Sequence, residues 1–243
     1  MECLFGITGN GFTLLAADTI SARSIVVMKG TEDKSRELNA HTVLLYTGEP
    51  GDTVNFAEYI QRNIKLYGIR NGIELSPKAT ATFTRRQLAD SLRSRHPYSV
   101  NLIIGGYDAK KQQPELYWID YLGAMASLPF CAQGYGAYFC TSLMDRYYKE
   151  NMDVEEAKKL MAMCIQELKT RFIVNMPNFK VQLVDKDGVH QVEFLFSVFV
   201  LVQLYPRIWA ASRRVSKQAE ETHHAVAFEF FSAAVFSLVD PAQ

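Results

Sequence analysis

The 243-residue chain has few of the signals that mark export, membrane insertion or metal binding. Its densest apolar run, Phe194–Tyr205 (FLFSVFVLVQLY), is shorter than the roughly 20 residues a helix needs to cross a bilayer. No basic stretch followed by an apolar run opens the chain, so no signal peptide is expected. No Asn-x-Ser/Thr acceptor occurs. The four cysteines, Cys3, Cys131, Cys140 and Cys164, include no C-x-x-C pair and none beside a histidine in a zinc pattern. Four buried thiols in a reducing, intracellular compartment are expected. His223-His224 shows no third ligand nearby in sequence, so no metal and no cofactor is expected. Net charge is absent too, with 26 Lys and Arg against 26 Asp and Glu. That balance argues against a mainly electrostatic partner, so neither nucleic acid nor a membrane is expected. No unit repeats at the spacing of a solenoid.

What is present is globular material. The chain is 48% hydrophobic and 21% charged, enough apolar content for a sizeable core. Its length implies one domain, or one domain with an appendage.

The pattern along the chain alternates blocks. Leu4–Thr8 and Phe12–Ala17 are strands around the Gly9-Asn10-Gly11 turn. Ser24–Met28 and Thr42–Thr47 are the next strand candidates. A helix is expected from Asp52, with apolar residues at helical spacing and an end at Asn71-Gly72. Ser76-Pro77 caps a second helix running to about Arg95, whose polar face carries Arg85, Arg86, Arg93 and Arg95. That face is either solvated or a contact surface for an acidic neighbour. Val100–Gly105 and Glu115–Asp120 are strands joined by a polar turn at Tyr107–Pro114. Gly134-Tyr135-Gly136 leads into a helix through Tyr148. Asp153 and Glu156 then open an amphipathic helix whose stripe runs from Ala157 to Phe172. Phe179–Val184 and Val189–Val192 form a closing hairpin around Asp185–Gly188. Strands between pairs of helices imply a layered α+β sandwich.

Asp18 poses the chemical question. It ends an apolar strand, where a carboxylate either serves a reaction or accepts backbone N–H bonds and pairs with a cation such as Lys34. Glu49 is either a general base or part of the Gly-Glu-Pro-Gly turn that leads into the first helix.

The stretches Leu14-Leu15-Ala16-Ala17-Asp18, Lys34, Tyr46-Thr47-Gly48-Glu49, Gly134-Tyr135-Gly136 and Met144-Asp145-Arg146-Tyr147 carry a resemblance, as do "GDTVNFAEYIQRNIKLYGIRNGIELSP" and "YYKENMDVEEA". Together they resemble the beta subunits of the 20S proteasome, over about residues 1–192. The resemblance implies a four-layer αββα sandwich of the N-terminal-nucleophile hydrolase type. In catalytic members a threonine, freed at a Gly-Thr junction, attacks with its hydroxyl while its own amine serves as base. By the family spacing that position is Glu2, which has no such hydroxyl. Only Met1 precedes it in this sequence, so no propeptide is expected. The single Gly-Thr junction, Gly30-Thr31, lies beyond Asp18 and is not expected to be cut. The site serine of catalytic members falls at Ala137, and a later Asp-x-x-Ser falls at Phe172–Asn175 (FIVN).

The resemblance therefore implies a non-catalytic beta subunit. Asp18, Lys34 and Gly48 would be a vestigial frame, with no catalytic residue among them. Its function would be to complete the ring around the proteolytic chamber in ubiquitin-dependent protein degradation. Its partners would be beta subunits of the same and the opposite ring and an alpha-ring subunit, in cytoplasm and nucleus. The alternative is an independent amide hydrolase or threonine-type endopeptidase, which needs a free Thr, Ser or Cys at the mature N-terminus; Cys3 is the one nearby residue that processing could expose. Residues 193–243 depart from the family. They are expected to be an atypical, poorly ordered or loosely helical extension, either a lineage-specific arm or an alternative 3′ end, and dispensable.

Overall fold

Asn10 and Gly11 make the two-residue turn between β1 (Cys3–Gly9) and β2 (Phe12–Asp18). Gly9 pairs with Phe12, and Gly11 takes φ 78°, the left-handed value such a tight hairpin demands. The computed structural model describes residues 2–23 and 26–192. The expected extension at 193–243, with Phe194–Tyr205 and His223-His224, lies outside them.

Two five-stranded antiparallel sheets form the centre of the molecule. The first has the order β10-β1-β2-β11-β12, with β10 (Phe130–Gly134), β11 (Phe179–Asp185) and β12 (Gly188–Val192). The second has the order β5-β6-β7-β8-β9, with β5 (Ser35–Asn39), β6 (Thr42–Gly48), β7 (Val100–Asp108), β8 (Gln113–Ile119) and β9 (Met125–Ser127). A separate ribbon pairs β3 (Ser21–Arg23) with β4 (Val26–Lys29). Helices α1 (Pro50–Asn71) and α2 (Pro77–Ser91) cover the second sheet, and α3 (Tyr135–Tyr147) and α4 (Val154–Arg171) cover the first. The layers are therefore helix, sheet, sheet, helix. Leu4, Leu15, Val43, Leu45, Ile103 and Leu116 fill the space between the sheets. Every residue of β2 is buried because this strand has a sheet on one face and a helix on the other.

Local chemistry explains the helix ends. Gly72 closes α1 in the left-handed region, its N–H donating to Gly68 O at 2.8 Å. The Ser76 hydroxyl accepts the Ala79 N–H at the start of α2. At α4 the capping box is complete in both directions: Glu156 N–H donates to Asp153 Oδ1 at 2.6 Å and Asp153 N–H to Glu156 Oε2 at 3.3 Å.

Several expected boundaries move. α2 stops at Ser91 instead of Arg95: Leu92 N–H turns back to Ala89 O and Ser94 N–H to Ser91 O, three-residue bonds that tighten the chain before His96-Pro97. Arg85, Arg86, Arg93 and Arg95 are all exposed, and Arg85 also donates to Gly123 O at 2.9 Å. The expected turn at Tyr107–Pro114 shrinks to Ala109–Gln112, because the β7–β8 ladder continues to the Asp108–Gln113 pair. Within the strand expected over Ser24–Met28, Val26–Lys29 pairs with β3; Ser24 and Ile25 lie outside the described residues. The polar edge strand β5 and the short strands β9 and β10 carry no periodic signal of their own and form through pairing with neighbours. All four cysteines are buried and free.

Candidate functional site

Antiparallel pairing brings the start of β1, the end of β2, the end of β6 and the end of β10 to one edge of the sandwich. Cys3 lies opposite Gly134, and Leu4 opposite Ala17. Glu2, Asp18, Gly48 and Gly134, far apart in sequence, thereby gather around the start of β1, and Lys34, which precedes β5, lies beside Asp18 and Glu2.

Asp18 is the anchor. Its Oδ1 accepts the Cys3 N–H at 2.8 Å, and its Oδ2 accepts the Ile20 N–H at 3.1 Å and Lys34 Nζ at 2.6 Å. Lys34 also donates to Ile20 O at 2.7 Å. Burial pushes the Asp18 carboxyl up from its ordinary value, and the Lys34 ammonium and the two N–H donors act against that rise. The pair ties the first strand, the β2–β3 bend and the entry to β5 into one knot.

Glu2 occupies the next position outward. Its Oε2 accepts the Thr47 hydroxyl and, at 3.0 Å, the Gly48 N–H, and its Oε1 stands 3.6 Å from Lys34 Nζ. Its carbonyl accepts the Tyr135 N–H at 2.9 Å, joining β1 to the first turn of α3. Two glycines make this approach possible. Gly48 has φ 144°, and a Cβ there would stand 2.1 Å from Ser99 O. Gly134 has φ 66° and ψ −149°, and its Cβ would stand 2.2 Å from Glu2 O.

Ala137 lies in the first turn of α3, and Thr141 donates to its carbonyl at 2.6 Å. Phe172 caps the end of α4 and stacks near Tyr135 and Phe139, with ring centroids 5.2 and 5.6 Å apart. Glu49 is the N-cap residue of α1 with its side chain outside the cap hydrogen bonds. The Cys3 thiol is fully buried, and burial first, then the Asp18 charge, pushes it well above the ordinary thiol range. Such a thiol is a poor nucleophile. Among the described residues no group of three or more His, Cys, Asp or Glu is placed to hold a metal ion, and no helix is long and apolar enough to cross a membrane.

Residues 2–184 match the model of the proteasome subunit family. The chain belongs to that family, on its beta-subunit side. It is 47% identical over 192 residues to a probable proteasome subunit beta type-4 of Schizosaccharomyces pombe, covering 79% of this chain and 99% of the relative. It is 48% identical over 193 residues to proteasome subunit beta type-4 of Saccharomyces cerevisiae, covering 79% and 98%. It is 48% identical over 191 residues to proteasome subunit beta type-2-B of Arabidopsis thaliana, covering 79% and 95%.

As a proteasome beta-family chain it links Asp18 to Lys34, Lys34 to Glu2 and Glu2 to Gly48, while Ala137 presents only a methyl group and its carbonyl. Sequence reasoning missed the active part that the Glu2 carboxylate takes, since a glutamate ahead of a strand carries no recognisable signal. It also missed a cross-sheet clip. Lys180 of β11 donates to Asp33 Oδ2 and to Ser35 Oγ, both at 2.9 Å, and the Tyr46 hydroxyl donates to Asp33 O at 2.7 Å. Burial acts to raise the Asp33 carboxyl, but hydrogen bonds from Lys180 and Ser35 outweigh it and hold the group below its ordinary value.

Proposed function

We propose that this chain is a non-catalytic structural subunit of the 20S proteasome core, filling the fourth position of the beta ring that encloses the proteolytic chamber. Through that ring it takes part in ubiquitin-dependent protein degradation in cytoplasm and nucleus. Its neighbours are beta subunits in the same and the opposite ring and subunits of the alpha ring. Asp18, Lys34 and Gly48 then serve as scaffold.

One observation carries the reading. Residue 2, where catalytic members of the family place the threonine, presents a carboxylate, and that carboxylate is bound by the Thr47 hydroxyl and the Gly48 N–H. Acyl transfer needs a hydroxyl or thiol at that point and a free N–H donor for the developing oxyanion. Here the attacking group is missing and the donor is filled by the chain's own side chain. The nearest sulfur, in Cys3, is sealed in the core.

Native mass spectrometry of tagged full-length chain, purified from its own cells, tests the reading. The expected result is one particle holding this chain with alpha and other beta subunits, the chain beginning at Met1 or Glu2. A mature chain beginning at Cys3, or a free chain that cleaves amides, would sink it.

A further inference from the structure

The Glu2 carboxylate sits where two hydrogen-bond donors and an ammonium group converge. Thr47 and Gly48 at the end of β6 donate to Oε2, the latter at 3.0 Å. Lys34 Nζ stands 3.6 Å from Oε1. An ammonium group has three N–H donors. Two of those on Lys34 go to Asp18 Oδ2 at 2.6 Å and Ile20 O at 2.7 Å, and the Glu2 carboxylate faces the same ammonium as an ion-pair neighbour beyond hydrogen-bond reach. The donors have little access to water, since Thr47 is 5% and Lys34 2% exposed. The Glu2 side chain is 24% exposed, so the place it fills opens to solvent on one side.

We infer that Lys34, Thr47 and Gly48 form a pocket for a small planar carboxylate, and that Glu2 is its resident internal ligand. The pocket is built by the fold: Gly48 adopts a backbone conformation that side chains rarely take, and the Asp18–Lys34 pair holds the ammonium in place. Charge-assisted hydrogen bonds to a carboxylate are short and strong, and a hydroxyl and an amide screened from water and left without an acceptor are costly. Glu2 meets that demand from within the chain. It also keeps other carboxylates out, among them the C-terminal carboxylate of a short peptide. Shortening Glu2 opens the same place to a carboxylate from solution. This inference rests on the donor geometry and stands whether or not the chain takes the ring position proposed above.

Chemical rescue is the test. Thermal unfolding of the full-length chain is followed for wild type and Glu2→Ala, in sodium formate and in sodium chloride at equal ionic strength. The variant is expected to melt below wild type in chloride. Formate raises its midpoint saturably, as a ligand of the folded state does, while wild type responds to the two salts alike. In the variant, deuterium uptake at the Gly48 amide rises in chloride and falls again in formate. Equal midpoints for the variant in the two salts, or a formate gain in wild type as large as in the variant, would overturn the inference. Should Glu2→Ala fail to fold, Glu2→Gln carries the test. It keeps the size of the side chain and a carbonyl acceptor but loses the charge, and its midpoint is expected below that of wild type. A Glu2→Gln variant that melts with wild type would count against a carboxylate pocket.

Discussion

Lys34 Nζ lies 2.6 Å from Asp18 Oδ2, with the two side chains 2% and 0% exposed. Such a pair contributes little net stability against an apolar alternative, yet breaking it from one side strands a charge. Lys34→Ala is therefore expected to destabilise the chain by about 3–5 kcal/mol, read from urea unfolding of the full-length protein, and to lower its incorporation into particles. The peptidase activity of each particle that does form should be unchanged. Selective loss of one activity with normal assembly would contradict the scaffold role of the pair.

The Asp33–Lys180 clip gives a dependence on pH with a definite sign. Asp33 has its folded pKa below the ordinary value of 3.8, so the clip stabilises the chain fully above that value. The contribution is lost as pH falls through the folded pKa. Between about pH 5 and about pH 3 the wild-type urea midpoint should therefore fall further than that of Asp33→Asn, which lacks the contribution at every pH. Half of the Asp33 side chain is exposed, so the difference is modest and shrinks in high salt. Parallel pH profiles would show that the clip plays no part.

Gly134→Ala tests the backbone at the root of α3. The added methyl would meet Glu2 O at 2.2 Å, and φ 66° with ψ −149° disfavours any side chain. The strain alone is about 1–3 kcal/mol, and relief requires β1 and α3 to separate. The Tyr135 amide, which donates to Glu2 O, should then exchange with deuterium faster than in wild type. An unchanged exchange rate and melting temperature would rule out that close approach.

The capping box of α4 is a local device with a local cost. Asp153→Ala removes the acceptor of the Glu156 N–H and should cost about 1 kcal/mol. Asp153→Asn keeps a cap acceptor and should recover most of that loss. Equal melting temperatures for the alanine variant and wild type would place the helix start under tertiary control.

The cysteines make a chemical prediction. Cys3, Cys131, Cys140 and Cys164 are buried, and burial, for Cys140 after a side-chain hydrogen bond to Cys164, holds the thiols of Cys3, Cys131 and Cys140 far above the ordinary range. Iodoacetamide should leave all four unmodified in the native chain and label all four in denaturant. Rapid native labelling of Cys3 would reopen the nucleophile reading.

Much of the fold was legible because its signals are local. Asn10-Gly11, Ser76-Pro77, Asn71-Gly72 and Asp153/Glu156 each meet a short-range demand of backbone geometry or hydrogen bonding, and each appears where it was expected. β5, β9 and β10 were not legible, because a short strand at a sheet edge owes its form to the strand beside it. α2 ends four residues before Arg95, since its basic face continues past Ser91 while its backbone bonds do not.

The order of the four helices and the longer strands, the acid at the end of β2 and the glutamate at residue 2 are properties of the chain as written. That Asp18 and Lys34 meet, that Glu2 is held by Thr47 and Gly48, and that Asp33 reaches Lys180 across the sheets were decided only by folding. Periodicity and capping act over a few residues and leave a mark in the sequence. A hydrogen bond between residues 2 and 48, or an ion pair between residues 33 and 180, depends on the pairing of distant strands, and no local pattern records it.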